Sequence, residues 1–239
     1  MASVTKGSAL ALGICVVLGL SALGYQLADA AVSVKAMERT VSVKGLSERD
    51  VDATTAAWPI RYQVAENDLD KLYLDVEKNQ RMISVFLKKH GLSDDEISLA
   101  PPVIADAYAN QWGDKSQIKF RYTGEGDVTV FTTKVDAVRK AMASLLELGK
   151  QGVVVSVTKE DIQRVFSYED LSKIKPAMIE EATKNARAVA EKFAQDSNSK
   201  LGKIKSAQQG QFSINNRDDS TPHMKRVRVV TTVEYYLSD

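Results

Sequence analysis

Cysteine and histidine, the side chains that most often carry nucleophilic or metal chemistry, are scarce in this sequence. Cys15 is the only cysteine, and it lies in an apolar segment near the N-terminus. The remainder of the chain can therefore form no disulfide and no cysteine-based metal site. The two histidines, His90 and His223, are far apart in the chain and show none of the spacings typical of metal sites. We predict no catalytic residues, no metal site and no cofactor, and we expect the protein not to be an enzyme.

An excess of positive charge is also lacking. The 239 residues carry 32 Lys and Arg against 31 Asp and Glu, a formal net charge of +1. Lys6 is the only charged residue before Asp29, so the rest of the chain carries 31 charges of each sign. Nucleic-acid-binding domains usually show a basic excess or a basic stripe. We therefore expect no nucleic-acid partner.

Residues 7–28 contain no charged residue at all. As an α-helix this segment spans about 33 Å, roughly the hydrocarbon thickness of a bilayer. It predicts an uncleaved signal anchor with Lys6 on the cytoplasmic side, or a secretory signal peptide cleaved near Ala30; a buried helix of a soluble domain is the third interpretation. The residues expected to lie in the membrane are Ala9, Leu10, Leu12, Ile14, Val16, Val17, Leu18, Leu20 and Leu23.

The sequence after this segment predicts a connector over 29–39 and an α+β domain over 40–239. Residues 40–46 alternate apolar and polar side chains, as a half-buried strand does. Glycines at 124 and 126 predict a bulge or hairpin. Many neighbouring strands are joined too tightly for parallel crossovers, so we expect mainly antiparallel sheets. The further predicted strands are 51–65, 96–106, about 116–132, 152–157, 162–168, 202–214 and 225–237.

Three long helices are expected to pack on these sheets. The first runs from the N-cap Asn67 to Gly91, the second over about 134–148, and the third over about 176–200. In the third helix, apolar residues recur at helical spacing and predict the face that contacts the sheet. These residues are Ile179, Ala182, Ala186, Val189 and Phe193.

The last predicted strand, 225–237, is rich in β-branched and aromatic residues. A long strand of this kind with an unpaired edge invites pairing with another chain. We therefore predict a homo-oligomer that associates through this strand. The residues of the predicted self-association edge are Val227, Val229, Thr231, Val233 and Tyr235.

Three blocks of the sequence, taken in order, match a known pattern: residues 41–49 (VSVKGLSER), 184–194 (KNARAVAEKFA) and 229–235 (VVTTVEY). They resemble the opening strand, a late helix and the closing strand of the SIMPL-domain family. Family members often have Pro-Asp where this chain has Val51-Asp52. The resemblance implies an exported bacterial envelope protein of α+β fold without established catalytic residues. It also implies ring- or channel-like oligomers in some relatives and a loose link to oxidative-stress defence.

Together, these observations predict a single-pass protein of the bacterial inner membrane with its C-terminal body in the periplasm, or a soluble periplasmic protein if the segment is cleaved. We expect a non-enzymatic, self-associating envelope component, with a role in stress defence. Its expected partners are the lipid bilayer and further copies of itself. One alternative is a periplasmic binding module with a pocket near Trp58, Tyr62 or Trp112. Another is a hydrolase that uses carboxylates or a buried serine.

Overall fold

The computed structural model describes residues 6–37, 39–110 and 118–238, with side chains for 13–30, 39–109 and 118–238. It confirms the predicted α+β class. The helices are α1 (Lys6–Met37), α2 (Leu69–Lys89), α3 (Ala107–Asn110), α4 (Val135–Ala143), α5 (Leu146–Lys150), α6 (Lys159–Arg164) and α7 (Leu171–Asp196). The strands are β1 (Thr40–Asp52), β2 (Thr55–Glu66), β3 (Ile97–Leu99), β4 (Val103–Asp106), β5 (Tyr122–Thr132), β6 (Val154–Ser156), β7 (Phe166–Ser167), β8 (Lys200–Gln209), β9 (Ser213–Asn216) and β10 (Met224–Ser238).

The strands form two sheets, which confirm the predicted antiparallel arrangement. A four-stranded sheet has the order β1-β10-β8, with β9 also paired with β10. A six-stranded sheet has the order β3-β5-β2-β6, with β4 paired with β5 and β7 with β2. Strands β8 and β9 run antiparallel to β10, and β5, β6 and β7 run antiparallel to β2.

Contacts within the chain divide it into two units, each with its own core. The first unit contains residues 1–47, 177–211 and 229–239, and the second contains 48–176 and 212–228. The ranges of β1, α7 and β10 therefore each continue from one unit into the other.

In the first unit, α7 packs on the sheet mainly through small side chains. Its buried residues there are Met178, Ala182, Ala186, Ala190 and Ala194. Val189 and Phe193, which were predicted to face the sheet, are 41% and 56% exposed, so that part of the prediction is wrong. Alanines at every fourth position let the helix backbone approach the sheet more closely than valine or phenylalanine would allow.

In the second unit, α2 packs on β2 and β5 through an apolar stripe of Leu72, Val76, Ile83, Phe86 and Leu87. The helix is capped by Asp68, whose carboxylate accepts the Lys71 backbone N–H at 3.1 Å. The predicted cap, Asn67, instead accepts the backbone N–H of Arg121 at 3.0 Å.

Strand β5 runs through its two glycines without a bulge or turn. Its pairing with β2 keeps one register from Ala56↔Thr132 to Glu66↔Tyr122, so the predicted interruption is wrong. The side chain of Tyr62 lies over Gly126, its partner across the strands, and a Cβ at position 126 would overlap the tyrosine ring. The glycine is therefore needed for packing.

Three predicted elements also differ in extent. The helix predicted over 134–148 is divided into α4 and α5 at Ser144 and Leu145. The strand predicted over 162–168 is reduced to β7, because Thr158 and Asp161 form a capping box that starts α6 at Lys159. Helix α7 begins at Leu171, so Pro176 lies inside it rather than near its first turn.

Candidate functional site: an apolar helix and an open sheet edge

Helix α1 is the one described helix that is long and apolar enough to cross a membrane. The qualifying stretch, Gly13–Ala30, has 18 residues, and none of it is buried against the rest of the protein. At about 1.5 Å per residue, it is about 27 Å long. Six of the nine predicted membrane residues, from Ile14 to Leu23, are 50–64% exposed. Ala9, Leu10 and Leu12 also lie on α1, but their side chains lie outside the described part.

The same helix continues beyond the predicted cleavage position. Ala28 and Ala30 lie inside α1, which remains helical to Met37 before β1 begins at Thr40. The exposed Cys15 lies on the apolar part of the helix. The apolar stretch and the first strand are thus joined mainly by continuous helix.

Strand β10 does not provide the predicted self-association edge. It lies between β1 on one side and β8 and β9 on the other. Its predicted edge residues Val227, Val229, Thr231, Val233 and Tyr235 are at most 4% exposed. The prediction that these residues form a free edge is therefore wrong: both edges of β10 are used within the chain, and these side chains point into the protein.

The open edge of this sheet belongs to β8. Residues 202–209 are all exposed. Among the described strands, only β10 pairs with β8. The strand carries three lysines, Lys200, Lys203 and Lys205, in residues 200–205, and ends in the uncharged sequence Ser206–Gln209. Sequence reasoning placed a strand here but could not show that it lies at an edge, because edge position depends on the topology of the whole sheet.

The opposite edge of the sheet, on β1, is contacted by α7. The Arg39 carbonyl accepts from Leu237 N–H, and Ala53 N–H donates to the His223 carbonyl, both at 2.8 Å. The backbone N–H and C=O groups of odd-numbered β1 residues therefore bond to β10, and those of even-numbered residues point away from β10. One outward carbonyl, that of Leu46, accepts a hydrogen bond from the Asn185 side chain at 2.8 Å.

A carboxylate on β10 links all three long strands of this sheet. Glu234 accepts hydrogen bonds from Thr40 on β1 at 2.8 Å and from Lys205 and Ser206 on β8 at 3.3 and 3.2 Å. The Thr40 hydroxyl and then the Lys205 ammonium lower the pKa of Glu234. The ionised carboxylate therefore helps to hold β8 at the side of β10.

The aromatic residues predicted to line a binding pocket are core residues. Trp58 is 1% and Tyr62 0% exposed, so a pocket built on them is wrong; Trp112 lies outside the described residues. The second unit has a surface groove of about 620 Å³, but Thr55, Lys134, Asp136 and Glu169 are among its lining residues, and neither aromatic is.

Both histidines have structural contacts. His90 caps the C-terminus of α2, and its ring lies 4.6 Å from that of Phe86. The His223 carbonyl accepts from Ala53, its ring lies 6.2 Å from that of Phe166, and burial lowers its pKa. No group of three or more His, Cys, Asp or Glu side chains suited to a metal ion occurs among the described residues.

Comparison with known families bears on the whole body of the chain. The family model SIMPL, described as a protein of unknown function (DUF541), matches residues 41–235. The chain belongs to the SIMPL family. The match begins in β1 and ends in β10, so it includes the open edge but not α1. None of the curated proteins compared with the chain matches it.

Proposed function

We propose that this SIMPL protein is tethered in the bacterial inner membrane by α1, with its body in the periplasm, and acts there as a non-enzymatic, self-associating envelope component. The observation that carries the proposal is the exposed apolar surface of Gly13–Ala30. Transfer of apolar surface out of water is favourable by about 25 cal/mol per Å². An exposed apolar helix of this length is therefore more stable in lipid than in water.

The ends of the helix support an uncleaved anchor. Lys6 precedes the apolar stretch, and a basic residue at that end favours a cytoplasmic N-terminus. Regular helix continues through Ala28 and Ala30 to Met37. A cleaved signal peptide would instead end near Ala30. This continuity favours a helix retained in the mature protein.

Membrane fractionation tests the tether. We expect the full chain to remain in membranes after alkaline extraction, and protease added to spheroplasts to digest the body. Leu20→Arg places a charge in the middle of the apolar stretch, at a cost of about 3 kcal/mol, and should move the protein toward the soluble fraction. Leu20→Ile is the matched control and should behave as wild type. A mature N-terminus at Ala31, or a soluble wild type, would contradict the tether.

Self-association is supported by the open edge of β8. An exposed strand edge presents unpaired backbone N–H and C=O groups that can bond to another strand. Sedimentation velocity of the detergent-solubilised full chain tests this part of the proposal. We expect an oligomer at micromolar concentration, and a strictly monomeric species would refute self-association.

The non-enzymatic role is supported by the structural contacts of side chains of the types that often carry catalysis, histidine and carboxylate. His90 caps a helix, and His223 lies at the edge of Phe166. The carboxylate of Glu180 pairs with Lys184 on the same exposed helical face. A role in oxidative-stress defence follows from the family resemblance alone. A deletion strain should be more sensitive to hydrogen peroxide than wild type, and the full chain should restore its growth.

A further inference from the structure

The outward backbone groups of β8 follow from its register with β10. Gly210 N–H donates to the Val230 carbonyl at 2.8 Å, and the register continues without a shift from Thr231↔Gln209 to Glu234↔Ser206. In an antiparallel pair, the residues that bond to the neighbouring strand alternate with residues that do not. Ser206 and Gln208 therefore bond to β10, whereas the N–H and C=O groups of Ala207 point to the open side.

Residues 200–205 of β8 are unsuited to pairing with another chain. The register shifts between Glu234 and Tyr235 and again between Tyr235 and Leu237, both opposite this segment. Irregular register and edge lysines are two features by which proteins discourage pairing at a strand edge. Lys203 and Lys205 supply the second feature. The regular, uncharged segment Ser206–Gln209 is left as the part of the edge that can pair.

This segment is complementary to a second copy of itself. In an antiparallel pair centred on Ala207, each Lys205 lies opposite a Gln209, and each Ser206 lies opposite a Gln208. Like charges directly opposite each other on paired strands are destabilising, and this register places no two like charges opposite each other. Ala207 of one copy meets Ala207 of the other in a hydrogen-bonded pair.

The β1 edge is a poorer partner for β8. Its outward Leu46 carbonyl already accepts a hydrogen bond from Asn185 at 2.8 Å. Pairing of β8 with β1 of a neighbour would have to displace that bond, and would build an open or ring-shaped series of chains. Pairing of β8 with β8 displaces no described bond and closes after two chains.

We propose that two copies associate through antiparallel pairing of their β8 strands centred on Ala207, joining two four-stranded sheets into one. The inference rests on the proposed self-association and gives it a partner and a surface. The membrane tether would favour the pairing, because two anchored chains meet at a higher effective concentration than free ones.

A proline at position 207 tests the pairing. Proline lacks an N–H group, and the N–H of Ala207 points away from β10, so Ala207→Pro should leave the β8–β10 ladder intact. It removes two bonds from the symmetric pair and should weaken dimerisation about 100-fold. Ala207→Thr, which retains the N–H and favours strands, is the matched control and should dimerise as wild type. All three full-length chains are compared by sedimentation in detergent, with circular dichroism to check the fold.

Cysteine crosslinking gives an independent result should Ala207→Pro disturb the fold. In a Cys15→Ala background, Ala207→Cys places two thiols opposite each other, where Cα atoms about 5.5 Å apart allow a disulfide. Ser42→Cys, exposed on β1, is the control. Mild oxidation should crosslink the chain through position 207 and not through position 42.

The outcomes separate this inference from the proposed function. A monomeric wild type would refute self-association as a whole. An oligomer that a folded Ala207→Pro leaves intact would show assembly through another surface and would overturn only the β8 pairing. Equal crosslinking at 42 and 207 would also overturn it.

Discussion

Gly45 of β1 lies directly under Ala186 of α7. A Cβ atom at position 45 would be 2.9 Å from the Cβ of Ala186 and would overlap the helix backbone at Ala182 and Ala186. The absence of a side chain on the strand and the small side chains on the helix thus permit one close approach. It fixes the separation of α7 and the sheet in the first unit, whose core includes Val43, Ala186 and Val233.

Gly45→Ala is therefore expected to destabilise the first unit by about 3 kcal/mol, since the added methyl group must push a helix backbone away from the sheet. Urea unfolding followed by circular dichroism measures the loss. Gly149→Ala is the matched control: nothing lies within 4 Å of the added Cβ, and position 149 is helical. Alanine there should be neutral or stabilising by up to about 1 kcal/mol. Equal effects of the two substitutions would contradict the packing argument.

The same contact explains why the buried face of α7 could not be read from the sequence. Ala186, Ala190 and Ala194 share a helical stripe, and Val189 and Phe193 lie on a neighbouring one. Hydrophobicity favours burial of the larger side chains, and the helical spacing allows either stripe to face the sheet. The choice depends on Gly45, which is more than a hundred residues away in the chain, and on how closely the sheet approaches.

Other features were predictable because their signals are local. The apolar stretch that includes Leu18, the stripe of α2 and the alternation in β1 each follow from periodicity within one element. The position of a strand in its sheet does not. Val227 and Val229 alternate with polar residues, as they would in an edge strand or in a central strand of a sheet with one face buried. The central position of β10 therefore became evident only from its pairing with β1, β8 and β9.

A buried hydroxyl on β10 leads to a second prediction. Thr231 is 4% exposed, and its Oγ1 has no hydrogen-bond partner among the described residues. Burial of a hydroxyl without a partner is unfavourable, and valine has nearly the same shape. Thr231→Val should therefore raise the free energy of unfolding by about 1 kcal/mol. Thr232→Val, at the adjacent half-buried position, is the control and should change the free energy of unfolding by less than half as much. A Thr231→Val variant less stable than wild type would point to a partner for the hydroxyl.

The carboxylate of Glu96 should make the second unit sensitive to acid. Lys134 donates to it at 2.8 Å, and Thr132 and Ser93 also donate to it. These partners, Lys134 foremost, lower the pKa of Glu96 to about 2. Its ordinary value is 4.5. Because the folded state holds the proton more weakly than the unfolded state, the stabilisation is complete above about pH 4.5 and is lost as the pH falls toward 2.

Unfolding measured between pH 6 and pH 2.5 tests this sign. Glu96→Gln should reduce stability at pH 6 by about 2 kcal/mol and make stability less dependent on pH over this interval. Lys134→Met retains the carboxylate but removes its strongest partner, so the pKa of Glu96, followed by NMR, should rise toward its ordinary value. A pH dependence that Glu96→Gln leaves unchanged would show that other carboxylates cause the acid sensitivity.

Lys225 gives a pH dependence of the same sign, but at alkaline pH. It is 6% exposed, its ammonium donates to the Asn216 side chain, and burial lowers its pKa. In the window between this lowered pKa and the ordinary value of 10.5, the unfolded chain binds more protons than the folded one. The contribution of Lys225 to stability therefore rises with pH across that window.

Lys225→Met removes the buried charge, and should stabilise the protein by about 1 kcal/mol at pH 7 while abolishing that rise. Lys140→Met, at an exposed helical position, is the control; a loss of stability in Lys225→Met alone would mean that the bond to Asn216 outweighs the desolvation of the ammonium.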